Sequence, residues 1–459
     1  MTSNNEFISV FEHQGVFFDQ QKTKSLFFRL DALKKLKAAI LQFEPEIMQA
    51  LQTDLHKSNF ESYATEIGFV LEEIGYHLRH LKHWAKPERV PSSVTSFPSR
   101  SMILSEPLGR VLIIAPWNYP FQLIMAPLIG AISAGNTAII KPSEISQHTA
   151  AIIQKILNAI FSDEFIAVVQ GDASVSQELL KLKFDHVFFT GSPRVGQYVM
   201  QEAAKQLIPV TLELGGKSPC IVNHDVDIEL AAHRIAWGKF LNAGQTCIAP
   251  DFLMVHKDVA KKFLAALVAS IKKFYGSDPY TSEAYPRIIT RANTIRLGSL
   301  MEGSTIYHGG KFLEDECYVE PTILTDVKPD MPVMQQEIFG PVLPVMLFSK
   351  LEEVVGFVNS RPKPLALYCF SKSRKFTNRI LNEIPAGGVT VNDTLMHISN
   401  SRLPFGGVGN SGMGHYHGRF SFDLFSHKKS VMFRGTWLDI PLRYAPFGKK
   451  LNYLKMLMK

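Results

Sequence analysis

Cysteine is scarce, and none of it is paired in spacing. The four thiols, Cys220, Cys247, Cys317 and Cys369, form no CxxC in 459 residues. That excludes a disulfide-stapled secreted scaffold and predicts free thiols in a reducing, cytoplasmic compartment. The start of the chain lacks a basic segment followed by an apolar one, so no signal peptide is expected. Residues 111–140 carry no charge, yet Pro116, Asn118, Pro120, Pro127 and Gly130 interrupt them. They read as a buried strand, turn and helix, not as a membrane span. There is no tandem repeat and no GxGxxG fingerprint.

Nor is there a basic face for nucleic acid. From His427 to the end, eight basic residues stand against the single acid Asp439, which is the whole of the chain's formal +7. The basic balance therefore describes a tail. In that tail Leu451, Tyr453, Leu454, Met456, Leu457 and Met458 accompany Lys449, Lys450, Lys455 and Lys459. Packing on a partner subunit, or a mobile end, is expected ahead of rest on anionic lipid.

What is present fits a folded protein of two or three domains: 46% hydrophobic and 20% charged residues. Residues 24–55 read as helical, with Leu26, Leu30, Leu33, Leu36 and Ile40 at helical spacing, and 62–84 as a second helical stretch. Residues 92–107, rich in Ser and Pro, read as an extended arm. Strand-like runs then alternate with helical ones at 111–115, 137–140, 167–169, 186–189 and 210–212. They resume at 252–255, 318–324, 342–348, 367–370 and 388–391. The expected fold is α/β: a Rossmann-like parallel-sheet cofactor domain (1–91 and 107–213), an α/β catalytic domain (214–397), a small extended oligomerisation arm (92–106 and 398–433) and the basic tail (434–459).

The chemistry starts at Gly244-Gln245-Thr246-Cys247, one thiol on a small-residue turn. Upstream, Glu213 precedes the pair Gly215-Gly216. Lys141-Pro142-Ser143-Glu144 ends one strand. Thr190-Gly191-Ser192 ends another and leads into a helix whose N–H groups suit a pyrophosphate. Taken singly, each of these segments also reads as an ordinary βα turn, Cys247 as a packing thiol and Glu213 as a solvated turn carboxylate. Together they suit covalent redox catalysis. A thiolate adds to an aldehyde, and a lowered thiol pKa raises its fraction at neutral pH. Asn118, on the turn Pro116-Trp117-Asn118-Tyr119-Pro120, supplies a neutral donor to the oxyanion. A nicotinamide takes the hydride, and Glu213 activates water to release the acid.

These segments, with Gln336-Glu337-Ile338-Phe339-Gly340-Pro341 and Leu403-Pro404-Phe405-Gly406-Gly407-Val408-Gly409, resemble the aldehyde dehydrogenase family, its class 3 branch in particular, over roughly residues 26–433. The resemblance implies that Cys247 is acylated, Glu213 is the deacylating base, and Asn118 with the Cys247 backbone N–H holds the oxyanion. It implies Lys141 on the adenosine ribose, Glu337 on the nicotinamide ribose, Gly191 and Ser192 near the pyrophosphate, and Phe339 beside the nicotinamide. Trp117 joins the cofactor-binding set. Phe69, Tyr119, Ile398 and Phe405 would line the aldehyde pocket, suited to medium-chain aliphatic or aromatic aldehydes. A homodimer is usual in that branch, where the lead before the first helix is short. Glu144 favours NAD over NADP, with NADP use open.

A CoA-acylating dehydrogenase and a catalytically retired scaffold are the alternatives. Glu213 argues for water as acyl acceptor, and the intact Cys247, Glu213 and Asn118 argue against retirement. His77, His80 and His83 recur every three residues without a fourth ligand, so no metal site is expected. His415 and His417 alternate in a Gly-rich loop where packing or solvation is ordinary, and His417 is expected at the substrate entrance.

Overall fold

The structure, a computed structural model, describes residues 4–458. Met1–Ser3, where the leader reading begins, the tail cation Lys459 and the side chains of Asn4, Asn5, Glu6 and Leu457 lie outside the described residues. The fold is mixed α/β with two large, mainly parallel sheets. The first has six strands in the order Gly412–Met413, Val210–Leu214, His186–Gly191, Arg110–Ile114, Thr137–Lys141, Ile166–Val168. Its central run Val111-Leu112-Ile113-Ile114 is aliphatic and buried on both faces, as helices on either side of a parallel sheet require.

From Arg110–Ile114 the chain first builds outward through the two strands on one side. It then returns to the other side with His186–Gly191. The strand order reverses between these two neighbours, which opens a crevice at their C-terminal ends. Trp117 and Asn118 follow one of them; Gly191 and Ser192 end the other. The helix Gln122–Ala134 is buried along its whole length and stops at Gly135, whose φ of 96° is the left-handed cap. Among the described residues no helix is long and apolar enough to cross a membrane.

The second sheet runs Thr305–His308, Thr322–Thr325, Val342–Phe348, Phe252–His256, Pro219–Val222, Ala366–Phe370, Gly388–Val391. Only its first strand is antiparallel. A third sheet joins Glu88–Val90, Ser99–Pro107 and Ser426–Arg434, the last two in continuous register from Ser99 opposite Arg434 to Pro107 opposite Ser426.

Several elements differ from the reading above. The lead before the first expected helix is itself the helix Asn4–Asp19, which packs Phe7 and Phe11 beneath the first sheet. Its Gln14 Nε2 donates to the carbonyls of Ala138 and Asp163 at 2.9 and 3.0 Å. The helical stretch 24–55 breaks at Phe43 into Leu26–Gln42 and Glu44–Leu55, because Pro45 fits only a first helical turn. The run 318–324 splits at Pro321, which has no N–H for the ladder. Residues 398–433 supply more than an extended arm: Gly412–Met413 closes the edge of the first sheet beside Glu213.

Candidate active site

The helix Ile228–Phe240 delivers the chain to Cys247 through a left-handed turn, with Asn242, Ala243 and Gly244 at φ of 52°, 49° and 73°. A side chain at position 244 would collide with the Gly340 carbonyl, so the glycine of the motif is a steric necessity. Asn242 and Ala243 hold their positions only because the surroundings over-determine them. The Asn242 N–H donates to Glu61 Oε1 at 2.8 Å, and its carboxamide donates to the carbonyls of Asn118 (2.8 Å) and Gln245 (3.2 Å). The buried Gln245 donates to the carbonyls of Asn242 and Arg287 and accepts the Ile289 N–H, so it braces the turn.

Asn118 is buried and its Nδ2 donates to the Gln245 carbonyl at 2.9 Å, with a second N–H left over. Beneath its turn lies an ion pair buried on both sides, Lys57 Nζ to Glu66 Oε1 at 2.5 Å. Lys57 also donates to the Asn118 carbonyl at 3.2 Å, and Glu66 Oε2 accepts the N–H groups of Phe121 and Gln122 at 2.9 and 3.1 Å. Tyr119 shares a 2.7 Å hydrogen bond with Thr246 Oγ1, and Lys57 lies 4.1 Å from its ring centroid. Lys57, Glu61, Glu66, Asn242 and Thr246 escaped the sequence reading. Glu66 is presented by a π-helical turn, Tyr63–Ile67, for which residue spacing gives no sign.

Cys247 and Glu213 face one cavity of about 610 Å³. Phe69, Tyr119, Ile398 and Phe405 line it, with Thr190, Trp237, Tyr275 and Glu61. His417 does not reach it. The ring is 1% exposed and stacks on Tyr416, with Phe69 and Phe405 edge-on to it, so the aromatic wall separates it from the cavity.

Glu213 ends the strand Val210–Leu214, 3% exposed, and neither carboxyl oxygen has a hydrogen-bond partner in the structure. Burial pushes its pKa well above the usual carboxylate range. The Cys247 thiol is also pushed up, by burial first and then by the charges of Glu337 and Glu213, against the pull of its own N–H and that of Ile248. Burial and the two carboxyl charges thus act against the thiolate, and a positive charge brought nearby would favour it.

On the crevice side, Glu337 is held by a clamp. The ion pair Lys217–Asp251 grips its segment: Lys217 donates to the carbonyls of Val333 and Gln336, and Asp251 accepts the Ile338 N–H at 2.8 Å. Burial, then Asp251, pushes the Glu337 carboxyl up to about 8. A side chain at Gly215 would overlap that carboxyl, so this glycine leaves it room. Trp117 and Phe339 meet edge to face at 5.4 Å.

At the far end, the buried Lys141 Nζ contacts Glu144 Oε2 at 3.3 Å, and burial lowers its pKa. Ser192 caps the helix Pro193–Ala204. Thr190 Oγ1 is buried without a partner between the crevice and the thiol's cavity. The set suits a dinucleotide: a carboxyl at each ribose end, free helical N–H groups for a pyrophosphate, and an orphaned hydroxyl near the reacting end.

The three spaced histidines diverge. His77 contacts Ser133 Oγ and Glu73, His80 bonds the Tyr76 carbonyl and stacks on Trp84, and His83 is exposed.

The profile of the aldehyde dehydrogenase family matches residues 14–431. The chain is 48% identical to the 4,4'-diaponeurosporen-aldehyde dehydrogenase of Staphylococcus aureus, over 98% of each protein. It is 46% identical to the dimeric NADP-preferring aldehyde dehydrogenase of Rattus norvegicus, over 95% of this chain and 96% of that one. A solved structure, the substrate-bound state of Staphylococcus aureus AldH, superposes with a TM-score of 0.97 at 47% identity over 99% of both chains.

Proposed function

The chain belongs to the aldehyde dehydrogenase family, and from that premise we propose how its residues divide the work of an NAD(P)-dependent oxidation of aldehydes to carboxylic acids. The observation that carries the proposal is the shared cavity, in which the Cys247 thiol and a hydrogen-bond-free Glu213 carboxyl lie among apolar side chains. Cys247 attacks the aldehyde carbon. The second N–H of Asn118 and the Cys247 backbone N–H take the oxyanion of the thiohemiacetal. NAD(P), when bound, supplies a positive charge and the hydride acceptor. Glu337 and Lys141 hold its two riboses, Glu144 assists Lys141, Gly191 and Ser192 leave N–H groups to the pyrophosphate, and Trp117 and Phe339 flank the crevice. Glu213, once ionised, takes a proton from water as that water attacks the thioester. A carboxylate with a raised pKa is a stronger base than an ordinary one for that step, and its oxygens, bonded by no protein group, are free to accept from the water.

The apolar lining suits medium-chain aliphatic or aromatic aldehydes. Glu144, exposed beside Lys141, favours NAD; it swings clear of a 2′-phosphate if NADP binds. The enzyme acts as a homodimer in the cytoplasm. The exposed strand Ser426–Arg434, at the edge of the third sheet, supports the dimer, and the tail beyond it packs on the partner subunit. Lipid contact by that tail is the competing outcome, detected as tail-dependent sedimentation with anionic vesicles. The function is tested by nicotinamide reduction on adding an aldehyde, with product analysis in the presence and absence of CoA. Carboxylic acid formed without CoA is expected; acyl-CoA as sole product overturns the assignment of Glu213.

A further inference from the structure

One carboxyl on the aldehyde side of the cavity takes no part in the steps above. Glu61, in the short helix Asn59–Ser62, is 6% exposed and lines the same cavity as Cys247. Its Oε1 accepts the Asn242 N–H at 2.8 Å, the one hydrogen bond its carboxyl makes among the described residues. Its companions on that wall, Trp237, Leu241, Phe274 and Tyr275, are apolar or aromatic. A carboxyl set in such a wall is costly until its oxygens are paired, and Oε2 has no hydrogen-bond partner among the described residues.

Its chain neighbour Phe60 and the wall residue Trp237 are exposed and line the same cavity. Glu61 therefore lies toward the cavity mouth, along the body of the substrate.

Resting on the reading of this cavity as the aldehyde site, we propose that Glu61 is a specificity residue, whose Oε2 accepts the O–H of a hydroxyl group carried along the chain of the aldehyde. A hydroxyl fits better than an ammonium group, because a cation stripped of its water in an apolar cavity suffers a large desolvation penalty that one carboxyl does not offset. Burial pushes the Glu61 carboxyl up to about 7, with Lys57 and the Asn242 N–H pulling it down and Glu66 pushing it up. Both of its protonation states accept an O–H, the ionised one more strongly. Tyr119 and Tyr275 are the other titratable groups facing it.

The test compares ω-hydroxyalkanals with n-alkanals of matched chain length and reads the ratio of kcat/KM values, in which a general loss of folding or turnover cancels. The unaltered enzyme should favour the hydroxylated member by about tenfold or more at its preferred length. Glu61→Met should bring the ratio to near one. Glu61→Gln keeps an acceptor for the Asn242 N–H; it should keep part of the preference and lose its rise with pH through about 7. A ratio unchanged in Glu61→Met, even with both rates reduced, would make Glu61 a brace of the Cys247 turn and overturn the proposal. So would a preference for ω-amino over ω-hydroxy aldehydes. Oxidation of neither series by the unaltered enzyme would overturn the reading of the cavity itself, and the Glu61 proposal with it.

Discussion

The two walls of the cavity are built on opposite terms. On the Cys247 side, polar groups are taken up by one another: Asn118 and Asn242 on the Gln245 carbonyl, Gln245 on Arg287 and Ile289, Lys57 on Glu66. On the Glu213 side, the carboxyl oxygens and the Thr190 hydroxyl are buried with no partner. The first wall is braced before any ligand arrives, with the second Asn118 N–H and Asn242 Oδ1 left unpaired, as the proposed nucleophile and its oxyanion donor must be held to avoid reorganisation during reaction. The second is incomplete, and what completes it is water or a bound group. The contrast separates a residue that must be placed from one that must be free.

Removing the proposed nucleophile should have the largest effect. Cys247→Ala should abolish both the first burst of reduced cofactor and the steady rate, a loss of about 10⁴-fold or more. Rapid-mixing absorbance of the nicotinamide reads both. Residual turnover within tenfold of the unaltered enzyme would place the nucleophile elsewhere.

Altering the proposed base should split the two phases. Glu213→Gln should leave the burst and slow the steady rate by about 10²–10⁴-fold. The pH profile sharpens the point. Burial raises the Glu213 pKa in the folded protein, so the base form is lost as pH falls below that raised value. The steady rate should therefore climb with pH through a range above that of an ordinary carboxylate in the unaltered enzyme, and that climb should vanish in Glu213→Gln. A burst lost together with the steady rate would assign Glu213 to acylation.

The sequence showed the two walls unequally. Cys247, Glu213 and Asn118 stand in long ordered motifs, and the strand runs around them are aliphatic enough to be read as a parallel sheet. The framework behind them is not periodic. Lys57 and Glu66 meet because a π-helical turn rotates Glu66 inward, and Glu61 reaches Asn242 across 181 residues. Such pairs depend on tertiary approach, which one-dimensional spacing does not encode. The helix Asn4–Asp19 is a different kind of miss. Phe7, Val10, Phe11 and Gln14 recur at helical spacing and were legible. His417 was placed at the entrance on loop composition, but its positive φ of 78° turns the ring behind Phe69 and Phe405.

The finished wall can be weakened from beneath without touching the reacting groups. Lys57→Met leaves Glu66 buried with its backbone partners but no counter-charge, and should lower stability by about 3–5 kcal/mol. Replacing Lys57 and Glu66 together with apolar residues should recover part of that loss, because no uncompensated charge remains, although the N–H groups of Phe121 and Gln122 then lose their acceptor. Urea unfolding of the two variants measures the difference. Equal stabilities would mean that the pair contributes nothing as a pair.

The smallest catalytic effect belongs to the tail, which neither wall includes. Trp437 and Phe447 are 73% and 64% exposed, and the helix Lys450–Leu457 meets only the short turn Pro441–Arg443 in strength. Among the described residues, none beyond Tyr416 lines the cavity. Deleting residues 435–459 should therefore leave kcat/KM for a simple alkanal within about twofold, the scale of changes that remove no contact to the reacting groups. It strips exposed aromatic surface from the chain's end, so its effect should appear in assembly. Sedimentation velocity at falling protein concentration should show the truncated dimer dissociating earlier than the full chain. A tenfold loss of kcat/KM with the dimer intact would mean that the tail reaches over the cavity mouth, and the second wall would then need a third element to describe it.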